Sequence, residues 1–135
     1  MILVDSNVLM YAAGAPHPHK EPCANLMRRI ASGEVEAVVD TEALQEILHR
    51  YRSIRRWDDG RRVYSLTRAL FPRSASISES TLDRARDFMD RHKGLTARDA
   101  IHAAVAFEIG ARAICSYDRD FDVVPEIRRI EPSQA

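Results

Sequence analysis

Apolar positions in this chain come in short blocks separated by polar breaks. Ile2, Leu3 and Val4 run straight into an acid, Asp5; after Ser6 and Asn7, apolarity resumes at Val8, Leu9, Met10 and Tyr11. A short apolar run closed by a polar pair predicts a buried strand over 2–5 opening into a helix over 7–13. Gly14 and the stretch Pro16-His-Pro-His-Lys20 predict a loop. Cys23, Leu26, Met27 and Ile30 then recur on one helical face over 21–32, with Gly33 as the stop. Residues 35–39 form a second strand pattern, again ending at an aspartate, Asp40.

From Thr41 to Ile54 the stripe Leu44, Ile47, Leu48, Tyr51 and Ile54 predicts a helix, which Trp57-Asp-Asp-Gly60 is expected to break. A further helix over 61–70 stops before Pro72. Residues 75–77 suggest a short strand. Ser78 is placed to cap a helix over 79–92 with Leu82, Ala85, Phe88 and Met89 inward. Thr96 opens a strongly patterned helix to Gly110, 113–116 is a third clear strand, and 128–130 a last short one. Strands alternating with helices predict an α/β fold whose parallel sheet is covered on both faces.

Length and composition narrow the class. At 135 residues the expectation is a single domain over 1–135 with a real core. Apolar residues at 45% and charged residues at 30% fit an ordinary globular chain. No apolar run approaches the roughly 20 residues of a membrane span, and the start lacks the basic lead of a signal peptide, so the mature chain is expected to begin at Met1, with no membrane partner. Two scattered cysteines, Cys23 and Cys115, suit a reducing, cytoplasmic setting.

The net charge of zero hides an uneven distribution. Between residues 48 and 73 eight arginines (50, 52, 55, 56, 61, 62, 68 and 73) face only Asp58 and Asp59, a local surplus of six positive charges on an otherwise acidic body. These arginines either face water as good helix formers or hold a polyanion's backbone, with Trp57 and Tyr51 available to stack on an unpaired base. The apolar positions Ile47, Leu48, Tyr51, Tyr64, Leu66 and Leu70 offer the same arm to a protein partner instead.

Three acids sit at comparable junctions: Asp5 after the first strand, Asp99 at the start of the 96–110 helix, and Asp118 just past Ser116; a fourth, Glu46, lies in the helix after the second strand. Each has a local alternative. Asp5 suits a helix cap, Thr96-Ala-Arg-Asp99 a capping box with Asp for Glu, Asp118 a turn, and Glu46 a solvated helix surface. Together, carboxylates gathered at neighbouring strand ends repel one another unless a divalent cation neutralises them. An oxygen-only ligand set suits Mg²⁺ or Mn²⁺, and such an ion activates water for phosphodiester hydrolysis. Glu46 lies about 140° from the centre of its helix's apolar stripe at about 100° per residue, and Glu42 is nearer the strand end.

Val4-Asp-Ser-Asn-Val-Leu9, Leu44-Gln-Glu-Ile-Leu48, Ala97-Arg-Asp-Ala-Ile-His-Ala103 and Ser116-Tyr-Asp-Arg-Asp-Phe121 resemble, in order and spacing, the successive acidic motifs of PIN-domain toxins of the VapC type. The resemblance covers nearly the whole chain and is most specific at its ends. It implies a PIN-like α/β/α sandwich around a mostly parallel sheet of four to five strands. It also implies a Mg²⁺- or Mn²⁺-dependent endoribonuclease that cleaves structured RNA (tRNA, rRNA or mRNA), a VapB-type antitoxin partner and a homodimer. The resemblance matches Asp5, Glu46, Asp99 and Asp118 to the catalytic quartet, with Asp5, Asp99 and Asp118 as metal ligands and Asp120 and Asp122 as accessory candidates. It also selects Glu46 over Glu42. Ser6 and Ser116 stand where threonine is common, which preserves the hydroxyl. A catalytically inactive PIN-like module that binds RNA or protein is the alternative.

Other signals lead less far. Asp118, Asp120 and Asp122 open like a calcium loop, but Val123 and Arg129 occupy its glycine and glutamate positions. His17, His19 and Cys23 lack a second zinc-ligand pair and read as a polar loop. His102, one turn after Asp99, reads as a packed or hydrogen-bonded histidine. A phosphatase of the haloacid-dehalogenase type needs an aspartate where Asn7 stands, and a receiver domain needs a late lysine that this chain lacks.

Overall fold

Ile2, Leu3 and Val4 are all buried, which requires protein on both sides of the strand they form. A computed structural model describes residues 1–135 and shows how this is met. Strands β1 (Ile2–Val4), β2 (Ala37–Asp40), β3 (Ser74–Ala75), β4 (Ile114–Cys115) and β5 (Arg129–Ile130) form one sheet in the order β3-β2-β1-β4-β5. Every neighbouring pair is parallel. Six helices connect and cover it: α1 (Ser6–Ala13), α2 (Lys20–Ala31), α3 (Thr41–Ser53), α4 (Trp57–Leu70), α5 (Glu79–Arg91) and α6 (Ala97–Glu108).

Alternation along β1 divides the core. Ile2 and Val4 pack with Val8, Leu26, Ile47 and Val63 from α1 to α4, whereas Leu3 packs with Phe88 of α5 and a run of small residues, Ala100, Ala103 and Ala104, of α6. The small side chains let α6 lie close to the sheet. The resulting α/β/α sandwich is the fold class expected of the sequence. No helix is long and apolar enough to cross a membrane.

All strands point the same way, so their carboxyl ends share one edge. Asp5 follows β1, Asp40 closes β2, and Ser116 follows β4, which brings three chain-distant polar positions side by side. Ser78 caps α5 with a reciprocal Thr81 box, as its position in the sequence suggested.

One boundary differs from expectation. The break between the third and fourth helices falls at residues 54–56, not at 57–60: α3 ends at Ser53, Arg55 takes a left-handed φ of 57°, and α4 begins at Trp57. Asp58 and Asp59 stabilise the first turn of α4, where carboxylates favour the helix dipole, and Asp59 pairs with Arg56 at 2.7 Å. Gly60 is therefore a contact residue and not a breaker. A Cβ built there would lie 2.4 Å from the Tyr51 Cβ, so only glycine lets α3 and α4 approach this closely. Gly60→Ala should destabilise the fold by about 1–3 kcal/mol through overpacking, a loss that urea unfolding would measure; an unchanged midpoint would contradict the contact.

Candidate metal and active site

The site grows from the ends of three strands. Asp5 stands at the N-cap position of α1, yet its carboxylate makes no capping bond. It accepts instead from the Ser116 hydroxyl at 2.6 Å, so the cap account of Asp5 does not hold. Ser116 Oγ in turn accepts from the Asn7 side-chain amide at 3.0 Å and the Asp118 backbone N–H at 2.9 Å. One buried hydroxyl thus ties the first strand–helix junction to the segment after β4. Thr96 caps α6 by accepting from the Asp99 N–H at 3.2 Å, and Asp118 accepts from the Asp120 N–H at 2.9 Å. Cap and turn are present at these two acids, and both still line the cleft.

His102 occupies the interior behind them. It is 1% exposed, and both ring nitrogens are engaged: Nδ1 lies 2.6 Å from Asp40 Oδ2, and Nε2 lies 3.3 Å from Glu46 Oε2 and 3.7 Å from Asp5 Oδ1. Burial works against the imidazolium, but the bonds to Asp40 and Glu46 outweigh it and hold the His102 pKa well above the usual histidine range. Burial likewise opposes ionisation of Glu46, and the bond to His102 overcomes it, leaving the Glu46 pKa lowered. The Ser6 hydroxyl also donates to Glu46. Glu46 therefore turns inward from α3 despite standing off that helix's apolar stripe. Asp40 does double duty, since its other oxygen caps α3 by accepting from Ala43 N–H at 2.8 Å. The sequence marked His102 as packed but left Asp40 out of the site. The signal was that Asp40 closes β2 as Asp5 closes β1.

Asp99, Asp118 and Asp120 form a second group, with ligand atoms within 4.8 Å of one another, and Asp5, Glu46 and His102 form the first by the same measure. Burial and the neighbouring Asp118 push the Asp99 carboxyl up to about 6, with Asp5 adding to the effect. The Asp5 pKa is raised mainly by burial. A cleft of ≈ 480 Å³ takes in Asp5, Glu46, Asp99, Asp118 and Asp120, together with Arg50 and Arg98. Asp122 turns away to pair with Arg129 at 2.8 Å.

The arginine arm reaches this cleft only through Arg50. Tyr51 is buried in the core and so cannot stack on a base, and Trp57 already carries the Arg52 guanidinium 4.4 Å from its ring centroid. A separate groove of ≈ 370 Å³ between α1, α2 and α4 is apolar apart from Arg28 and Thr67 and carries no acid–base chemistry.

The two acidic groups differ in what a cation can do there. In the first, a protonated His102 already supplies a positive charge, and an imidazolium has no lone pair to offer a metal. The second has only oxygen donors, and its Asp99–Asp118 repulsion is only partly offset by the Thr96 hydrogen bond and by His102, which suits a hard divalent ion such as Mg²⁺ or Mn²⁺. Asn7 Oδ1, buried in the same cleft without a hydrogen-bond partner, is an acceptor that an ion's hydration water would satisfy. The residues present fit such an ion.

Residues 2–127 match the family model described as PIN domain. Ribonuclease VapC13 of Mycobacterium tuberculosis is 39% identical over 130 residues, covering 96% of this chain and 99% of that protein. Ribonuclease VapC7 of the same organism is 35% identical over 136 residues, covering 100% and 94%. Among solved structures, VapC20 of M. tuberculosis, described as a sarcin–ricin loop cleaving toxin, aligns with a TM-score of 0.76 at 15% identity over 95% of this chain and 99% of that one. VapBC2 of Rickettsia felis, solved bound to a DNA fragment from its promoter, aligns at 0.75 and 15% identity over 97% and 98%. At these identities the structural matches concern the fold.

Removing His102 leaves the Asp40 carboxylate buried and uncompensated. His102→Leu should cost about 3–5 kcal/mol in urea unfolding; a loss under about 1 kcal/mol would mean the pair is not charged. Asp99 gives a pH signature. Its folded pKa of about 6 exceeds the ordinary 3.8, so the folded state binds more protons between those values and the Asp99 contribution to stability falls as pH rises through them. A divalent ion reverses that penalty. Mn²⁺ should therefore raise the melting temperature more at pH 7.5 than at pH 5, and Asp99→Asn should flatten the difference; equal shifts at both pH values would place the ion elsewhere.

Proposed function

The chain belongs to the PIN domain family, and from that premise we propose that it acts as a VapC-type endoribonuclease, the toxin of a toxin–antitoxin pair. The observation that carries this reading is the cleft itself, in which carboxylates from four separate parts of the chain converge beside two arginines. Residues 1–135 are taken as one nuclease domain. Asp99, Asp118 and Asp120 would hold the ion, with Asp5 on the adjoining side of the cleft. When bound, Mg²⁺ or Mn²⁺ supplies water activation and charge neutralisation at the phosphate.

The chain's own side chains do the positioning. Ser116 fixes the Asp5 carboxylate by direct donation and sets the start of the Asp118 turn through its accepted bonds. His102 holds Glu46 ionised at the cleft, where the carboxylate can accept a proton from the attacking water. Arg50 and Arg98 provide the positive charge that lets a phosphodiester approach an otherwise acidic surface. Catalytic roles are thereby assigned to Asp5, Glu46, Asp99 and Asp118.

The partner assignments extend the same proposal. A VapB-type antitoxin, a homodimeric assembly and a cytoplasmic setting follow from the toxin reading, and the VapC names of the relatives support the first of these.

Asp99→Asn and Asp5→Asn should each lower RNA cleavage by more than about 100-fold, beyond the losses usual for outer-shell changes. Asp99→Asn should keep the wild-type melting temperature or exceed it, since it relieves repulsion with Asp118. EDTA should abolish wild-type cleavage, and Mg²⁺ or Mn²⁺ should restore it. Full activity in either variant would remove that residue from the site. RNA binding by the wild-type chain without cleavage in either metal would make it a binding module.

A further inference from the structure

The acid cleft does not end at its carboxylates. A second cavity of ≈ 440 Å³ adjoins it, formed by the end of α1, the loop after it, and Arg50. Asn7, Met10 and Arg50 line both spaces. Resting on the nuclease reading above, we propose that this cavity takes a nucleobase of the RNA substrate, stacked on His17, from a nucleotide beside the scissile phosphodiester.

The chemistry of the two spaces is complementary. The cleft is dominated by carboxylates, whereas the adjoining cavity contains none; Met10, Tyr11, Pro16 and His17 give it flat or apolar surface, and Arg50 stands on the boundary. That is the order of groups that one strand of RNA presents: a phosphate at the acidic centre, a cation for the neighbouring phosphate, and an aromatic face for the base.

His17 is held in place before any ligand arrives. The Lys20 ammonium donates to the Gly14 carbonyl, closing the loop, and the Lys20 N–H donates to the His17 carbonyl at 3.0 Å. The His19 N–H donates to His17 Nδ1 at 3.0 Å, which fixes the orientation of the ring. Other aromatic rings back it. The Tyr11 and His17 centroids are 4.7 Å apart, those of His17 and His19 4.8 Å apart, and His19 lies flat on Tyr117 at 3.6 Å and 9°. His17 itself is exposed. A ring fixed on its inner side and open on its outer side stacks a base with little entropy left to lose. Zinc is a poorer occupant of this loop, because His17 Nδ1 is already bonded and Cys23 is fully buried in the core.

The test compares wild type, His17→Ala and His17→Phe on a random-sequence pool of short single-stranded RNA with Mn²⁺, reading cleavage constants and the base preference around the cut. In parallel, 5′-AMP and ribose 5-phosphate are titrated into each metal-free protein while the histidine ring resonances are followed by NMR. The expected result is that His17→Ala raises KM about 10-fold with kcat within about twofold and flattens the preference at one position beside the cut. His17→Phe should return KM to within about threefold of wild type, and 5′-AMP but not ribose 5-phosphate should shift the His17 resonances. Unchanged KM and preference in His17→Ala, with the wild type cutting RNA, would overturn the base site while leaving the nuclease standing. A wild type that cuts no RNA yet shows the His17 shifts with 5′-AMP would overturn the nuclease and support the base site. Neither cleavage nor shifts would overturn both. Should His17→Ala fail to fold, the wild-type titrations and the His17→Phe kinetics separate the same outcomes.

Discussion

Mutual repulsion among carboxylates at one edge of a parallel sheet is the constraint on which the rest of this structure depends. Parallel strands deliver their carboxyl ends to the same place, and here Asp5 and Asp40 end adjacent strands while Asp99 and Asp118 arrive from the flanking helix and turn. Left alone, such a set would titrate upward or splay apart. The chain meets the problem in two ways. On the inner side, His102 lies buried among Asp40, Glu46 and Asp5 and stays charged because they surround it. On the outer side nothing comparable stands between Asp99, Asp118 and Asp120, and Asp99 carries the consequence as a raised pKa.

This division also explains how fold and site are connected. The Asp40–His102 pair joins the end of β2 to the middle of α6, and the other Asp40 oxygen caps α3. Ser116 joins the ends of β1 and β4 through Asp5, Asn7 and Asp118. The inner half of the site is therefore part of what holds the sheet edge to its helices. The outer half does no such work, and its repulsion is a stability cost in the metal-free chain. Functional sites commonly retain local costs of this kind.

Legibility in the sequence followed the same division. The fold class could be read because the three central strands, β1, β2 and β4, are short apolar runs ended by a polar residue, and the helices between them carry apolar stripes. Asp5, Asp99 and Asp118 stood out because they fall at those ends. Glu46 did not, since periodicity describes one buried face, whereas α3 has two: Ala43, Ile47 and Tyr51 face the apolar core, and Glu46 faces His102. The Asp40–His102 pair spans 62 positions, and each partner taken alone has an ordinary local explanation. The helix boundary near residue 57 was misplaced for a related reason. Gly60 looks like a breaker in one dimension and is a point of close approach to Tyr51 in three.

A neutral chain with a basic arm suggested a broad cationic surface for RNA, but most of the arm's arginines lie away from the cleft. Arg56 pairs with Asp59, Arg52 covers Trp57, and only Arg50 enters the cleft. An isolated exposed ion pair adds little to stability, so the Arg56–Asp59 pair matters more for the charge it offsets locally than for the energy it adds. What remains at the site is a narrow alternation of a carboxylate cleft, one shared arginine and an aromatic loop. On the proposed nuclease reading, recognition built that way would depend on placing one phosphate and one base correctly, and less on attracting polyanion in general. With the base site proposed above, the loop from Gly14 to Lys20 would be as relevant to RNA selection as the arginine count, because it would set where the base lies beside Arg50.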